Sequence, residues 1–122
     1  MPPLNQVLPF QLVNRVVGDL DLQTFVNKVI SSYSGGMRRR LSVAVALVAD
    51  PLIVLLDEPT SGMDVTMRRL VLSTLSRVIS KHRSIIVTSH RMDECEAMCT
   101  RMSIMVNGKF KCLGSPQHLK TK

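Results

Sequence analysis

Tryptophan is absent, and aromatic residues make up only 3% of the 122 residues. That leaves few rings for stacking on bases, which argues against nucleic acid as a partner even though the formal charge of +7 raises the question. Acidic residues are scarce, nine against sixteen Lys and Arg. The basic ones gather at Arg38, Arg39 and Arg40 and toward the C-terminal end, a pattern that most simply gives a solvated helix face and a polar tail. Long apolar runs are missing too. The longest, Val43 to Ala49, is seven residues, far short of the roughly 20 needed to cross a bilayer as a helix. The start, MPPLNQVLPF, has no cationic segment leading into an apolar core, so no secretory signal is expected and the polypeptide is placed in the cytosol. Cysteines number three, an odd count that excludes a fully paired disulfide framework. Cys95 and Cys99 lie one helical turn apart with His90 near, yet no CxxC completes a zinc site. The string GxxxxGK[ST], whose backbone amides and lysine cradle a triphosphate, does not occur. Repeats and low-complexity linkers are also lacking, and the length suits one small domain with a single core.

Among the features present, LIVLLDEPTSGMD, Leu52 to Asp64, sets the problem. Five apolar residues run into two adjacent carboxylates, Asp57 and Glu58, and then into a proline that stops regular structure. Around it, helix and strand alternate. The spacing of Leu12, Val13, Val16 and Val17 predicts a helix from Gln11, ended by Gly18 and Asp19. LDLQTFVNKVISS predicts a weak helix or a loop. Ser34 is a candidate N-cap for a helix over Met37 to Ala49, ended by Asp50 and Pro51. Leu52 to Leu56 reads as a buried parallel strand. Asp64 can cap a helix to about Lys81, with Leu70, Thr74, Leu75, Val78 and Ile79 on its inner face. Ser84 to Thr88 is a second short strand, which makes a βαβ crossover. MDECEAMC predicts a short helix, Asn107–Gly108 a hairpin turn between two strands, and Ser115–Pro116 the opening of a last helix.

In a parallel α/β sheet, ligand groups collect at the carboxyl ends of strands, where Asp57, Glu58 and His90 fall. One carboxylate there suits Mg²⁺, directly or through water, and a second can take a proton from water. Hydrolysis of a nucleotide phosphate fits that pairing. A strand-end ion pair or an N-cap gives the same pattern. YSGGMRRRL adds a second site: the glycines bare the backbone at a helix N-terminus, whose amides and dipole favour an anion, although a glycine-rich turn with a serine cap reads the same way.

Ser34-Gly35-Gly36, LIVLLDEP, SGMD and TSH, in this order and spacing, resemble the second half of an ATP-binding cassette (ABC) nucleotide-binding domain. YSGGM is similar to the signature motif, LIVLLDE to the Walker B strand, SGMD to the D-loop, and Ser89-His90 to the switch-histidine loop. The resemblance runs from roughly Leu12 to the C-terminus. DEPTSGMD and SHRMDECEAMCTRMSIMVNGKFKCLGSPQHLK narrow it to the A subfamily, whose members mostly move lipids. Met37 departs from the usual polar residue of the signature, and Val65 from the proline that often follows the D-loop aspartate.

The resemblance implies an α/β fold: a partial P-loop NTPase, with parallel strands, helices and a C-terminal β-hairpin, filling residues 1–122 as part of an ABC domain. Walker A and the glutamine loop are expected upstream, which makes the chain a truncated domain. It implies that Asp57 holds Mg²⁺ largely through water, that Glu58 is the general base, and that His90 contacts the γ-phosphate. Ser34, Gly35 and Gly36 would reach ATP held by a second nucleotide-binding domain in a head-to-tail dimer, and Asp64 would communicate across it. The implied cofactors are ATP and Mg²⁺. The implied partners are that second domain and the transmembrane domains of a parent transporter, with this domain on the cytosolic side. The bland alternatives are an ion pair for the acids, a surface histidine for His90 and a simple cap for Asp64. Two other identities stay open: a truncated, non-catalytic isoform that modulates an intact domain, and a chromosome-organising ATPase head. The second normally leads into heptads, and none is visible.

Overall fold

The computed structural model describes residues 4–79 and 83–121. The chain divides into two compact units, one ending at Thr88 and the other beginning at Ser89. The first opens with α1 (Leu4–Asp19), which starts earlier than the apolar spacing predicts and runs through Pro9. A proline there removes one ladder donor, which a helix tolerates better in an early turn than in mid-course. LDLQTFVNKVISS becomes two 3₁₀ turns, Gln23–Phe25 and Ile30–Ser32. Tyr33 closes the segment on itself: its hydroxyl donates to the Phe25 carbonyl at 2.7 Å and its ring meets the Phe25 ring edge-on.

Helix α2 (Gly35–Val48) begins where the serine cap predicts, with Ser34 Oγ accepting from the Met37 N–H at 3.2 Å. It ends ahead of Asp50, which takes a left-handed φ of 54°, and of Pro51. Then come β1 (Ile53–Asp57), α3 (Val65–Ile79) and β2 (Ser84–Thr88). The Asp64 carboxylate caps α3, accepting from the Met67 N–H at 2.9 Å. The expected end of that helix near Lys81 lies outside the described residues. β1 and β2 pair in parallel, Val54 beside Ile85, Leu55 beside Ile86 and Asp57 beside Thr88.

The core gathers Leu20, Val43, Val71 and Leu75, with Leu47, Val54 and Leu56 around them. Thr74 is buried there with its hydroxyl donating to the Asp19 carbonyl, and Arg40, 6% exposed, donates to the carbonyls of Leu20 and Asp21 at 3.0 and 2.8 Å. Two helices are thereby anchored to the turn that ends α1. One expectation fails. β1 is not a strand buried on both sides: Val54 and Leu56 face the core, whereas Ile53 and Leu55 are 65% and 70% exposed, as is Ile86 on β2 at 62%. Strand side chains alternate between faces, and among the described residues helices cover one face of this pair.

The second unit holds α4 (Met92–Met98), the antiparallel pair β3 (Met102–Val106) and β4 (Lys109–Gly114), and α5 (Pro116–Lys120). Asn107 and Gly108, with φ of 49° and 72°, make the two-residue hairpin turn that their sequence predicts. Ser115 caps α5 by accepting from the His118 N–H at 3.3 Å.

Candidate functional site

Asp57 is the last residue of β1, and Glu58 leaves the strand with φ of 47°. A left-handed glutamate is uncommon and holds strain that neighbouring bonds must offset. Those bonds come from Thr88, the last residue of β2 and the register partner of Asp57. The Glu58 N–H donates to the Thr88 carbonyl at 3.2 Å and to Thr88 Oγ1 at 3.1 Å. Thr88 Oγ1 in turn donates to Asp57 Oδ1. The strand-end pairing thus places both acids and one hydroxyl on the same edge of the sheet. The Ser61 N–H donates back to the Glu58 carbonyl at 3.1 Å and closes the turn that carries Pro59 and Thr60.

His90 follows β2 by two residues and stands, itself exposed, at the start of the second unit. Its neighbour Ser89 bonds the Glu94 carboxylate at 3.0 Å, and Arg91 reaches the same carboxylate at 3.4 Å, so the start of α4 is fixed to this loop.

The glycine stretch builds a separate recess. Ser34, Gly35, Gly36, Met37 and Arg40 face Gly62, Met63, Asp64 and Met67 across about 380 Å³. Ser34, Gly35 and Gly36 of the predicted anion site and Gly62, Met63 and Asp64 of the predicted D-loop line it. Neither glycine is required by the chain's own packing: a Cβ on Gly35 meets nothing within 4 Å, and one on Gly36 only grazes Met63 Cγ at 4.0 Å. No acidic residue stands in the first turn of α2, which carries Arg38 and Arg39 close behind it. The positive end of the dipole is therefore reinforced rather than neutralised. Asp57 instead borders a recess of about 430 Å³ with Arg38, Arg39 and Ser42, and Gly35 stands on the rim of both.

Among the described residues no three His, Cys, Asp or Glu side chains converge on one point. Mg²⁺ takes one or two carboxylates plus water and substrate phosphates rather than an all-protein cage. Asp57, with one oxygen engaged by Thr88 and its side chain exposed, fits that role. Burial pushes the Cys95 and Cys99 thiols above their ordinary range, and the neighbouring Cys99, Glu94 and Asp93 push Cys95 further.

Sequence reasoning missed Thr88 and Tyr33. TSH marks a strand end, but only the register reveals that its threonine faces Asp57.

Two parallel strands joined by a crossover helix carry the acid pair at one strand end, and the capped glycine stretch lies in the same unit. The family model described as "ABC transporter" matches residues 9–61. The mouse phospholipid-transporting ATPase ABCA3 is 49% identical over 94% of this chain, and mouse ATP-binding cassette sub-family A member 7 is 54% identical over 83%. The fold superposes on MJ1267, an ATP-binding cassette of an ABC transporter, with a TM-score of 0.78 at 18% identity, over 92% of this chain. The chain belongs to the ABC transporter family and is part of its nucleotide-binding domain. It spans 7% of the ABCA3 relative and 45% of the solved cassette.

Proposed function

We propose that this chain supplies the hydrolytic acids and the signature surface of an ABC ATPase domain that powers transport of lipid-like molecules in a longer protein. The observation that carries it is the pair Asp57–Glu58 at the end of a parallel strand, held by one threonine. Asp57 would hold Mg²⁺, which when bound would offset charge on the ATP phosphates. Glu58 accepts the proton of the attacking water as the new oxygen–phosphorus bond forms and ADP leaves with the broken one. His90 donates toward the γ-phosphate, where charge is redistributed.

Ser34, Gly35 and Gly36 serve a different ATP, the one held by a second nucleotide-binding domain arranged head to tail. The bare glycines support this reading, because helical glycine costs up to about 1 kcal/mol against alanine and nothing inside the chain needs the space. Asp64, across the recess, caps α3 and carries the state of that site to the partner. The names of the relatives support a lipid cargo. Among the described residues no helix is long and apolar enough to cross a membrane. In this reading the membrane attachment belongs to transmembrane domains of the parent, with this domain on the cytosolic face.

The test is Glu58→Gln in the complete transporter. The amide keeps shape and hydrogen bonding but cannot take the proton, so ATP binding persists while steady-state hydrolysis falls by roughly 100-fold or more. Near-normal turnover would remove Glu58 from the base role.

A further inference from the structure

We infer that Thr88 is the positioning residue of the hydrolytic pair, its single hydroxyl setting both the Asp57 carboxylate and the backbone of Glu58. The inference rests on the proposed roles of those two acids and goes beyond them to a third residue that bonds both.

The geometry leaves little freedom. A hydroxyl has one proton and two lone pairs. Here the proton goes to Asp57 Oδ1 and a lone pair receives the Glu58 N–H at 3.1 Å. The first bond selects which Asp57 oxygen turns toward the sheet and which remains outward for a hydrated cation. The second, with the Thr88 carbonyl at 3.2 Å, forks the Glu58 N–H and holds that residue at its φ of 47°. The Cα of Glu58 sets where its carboxylate begins, so the backbone bond aims the base.

Threonine suits the task better than other residues. Its branched Cβ restricts χ1 on a strand, so the hydroxyl stands ready at the position that pairing with Asp57 dictates. Serine keeps the bonds with a freer rotor, and valine keeps the shape and loses both bonds. Thr88 is exposed, so its replacement opens no cavity.

The experiment compares Thr88→Val and Thr88→Ser in the complete transporter. Thr88→Val is expected to lower kcat by roughly 10- to 100-fold, the range that misplacing a reacting group produces. It should also raise the Mg²⁺ concentration for half-maximal turnover several-fold, with a smaller change in KM for ATP. Thr88→Ser should restore most of both. Should the valine variant not assemble, Thr88→Ala against Thr88→Ser isolates the hydroxyl with the methyl lost from both. Wild-type kcat and metal dependence in the variant lacking the hydroxyl, or equal defects with serine and alanine, would overturn the inference. Glu58→Gln measured alongside separates the layers. If it keeps turnover, the reading of the acids fails and this inference falls with it. If it is inactive while Thr88→Val matches wild type, only the role of Thr88 is lost.

Discussion

Gly36 lies inside α2 with ordinary helical geometry and room for a side chain. A glycine there lowers helix stability without filling a need of this chain's own packing, as the proposed approach of an outside group to the backbone would require. Two substitutions divide these effects. Gly36→Ala is expected to raise stability by about 0.5–1 kcal/mol, since alanine loses less backbone freedom on folding, while weakening ATP-driven closure of the domain dimer. Gly36→Asp should abolish that closure by setting a carboxylate against the arriving phosphate. Thermal denaturation of the complete domain reads the first effect and size-exclusion chromatography with ATP reads the second. A Gly36→Asp domain that dimerises like wild type would reduce YSGG to a turn. The same scale explains what the sequence hid. Thr88 is one threonine among several until register pairs it with Asp57, and a register is a relation between two strands that no local pattern contains.

Elements whose ends are written in local chemistry were legible. Ser34, Asp64 and Ser115 each accept an amide hydrogen bond at the helix start that their sequence predicts, and Asn107–Gly108 turns the hairpin at the expected place. What local chemistry cannot encode was not. The start of α1 lacks a cap signal and its apolar spacing becomes clear only from Leu12. The exposure of Ile53 and Leu55 depends on what lies across the sheet, which a strand's own composition does not record. Asp64 offers a test at this scale because one side chain both begins α3 and lines the glycine recess. Asn is as good an N-cap as Asp, so Asp64→Asn should leave melting within about 0.5 kcal/mol of wild type. Loss of ATPase activity in that stable variant marks a role for the charge beyond capping. Full activity in Asp64→Asn, with a loss of about 1 kcal/mol in Asp64→Ala, would leave Asp64 as a cap alone.

At the scale of the whole molecule, the outstanding feature is one sheet face on which Ile53, Leu55 and Ile86 are all exposed. A contiguous apolar surface of this kind binds dyes and other chains, and among the described residues each strand of the two-stranded sheet also keeps one unpaired edge. The purified 122-residue polypeptide should therefore enhance the fluorescence of an apolar dye and self-associate. Without GxxxxGK[ST] it should have no Mg²⁺-dependent ATPase activity. Monodisperse protein with a rate that Glu58→Gln abolishes would contradict this. The hairpin tip carries a slower consequence. Asn107 is exposed and followed by Gly108, which has no side chain to shield its amide nitrogen from the asparagine carbonyl carbon. Ring closure through that nitrogen expels ammonia, and reopening leaves aspartate or isoaspartate. Either product removes one unit from the net charge of +7, and the isoaspartate form also lengthens the backbone by one methylene inside a two-residue turn. The hairpin thus ages chemically, and the age of a preparation can be read as an acidic band on isoelectric focusing.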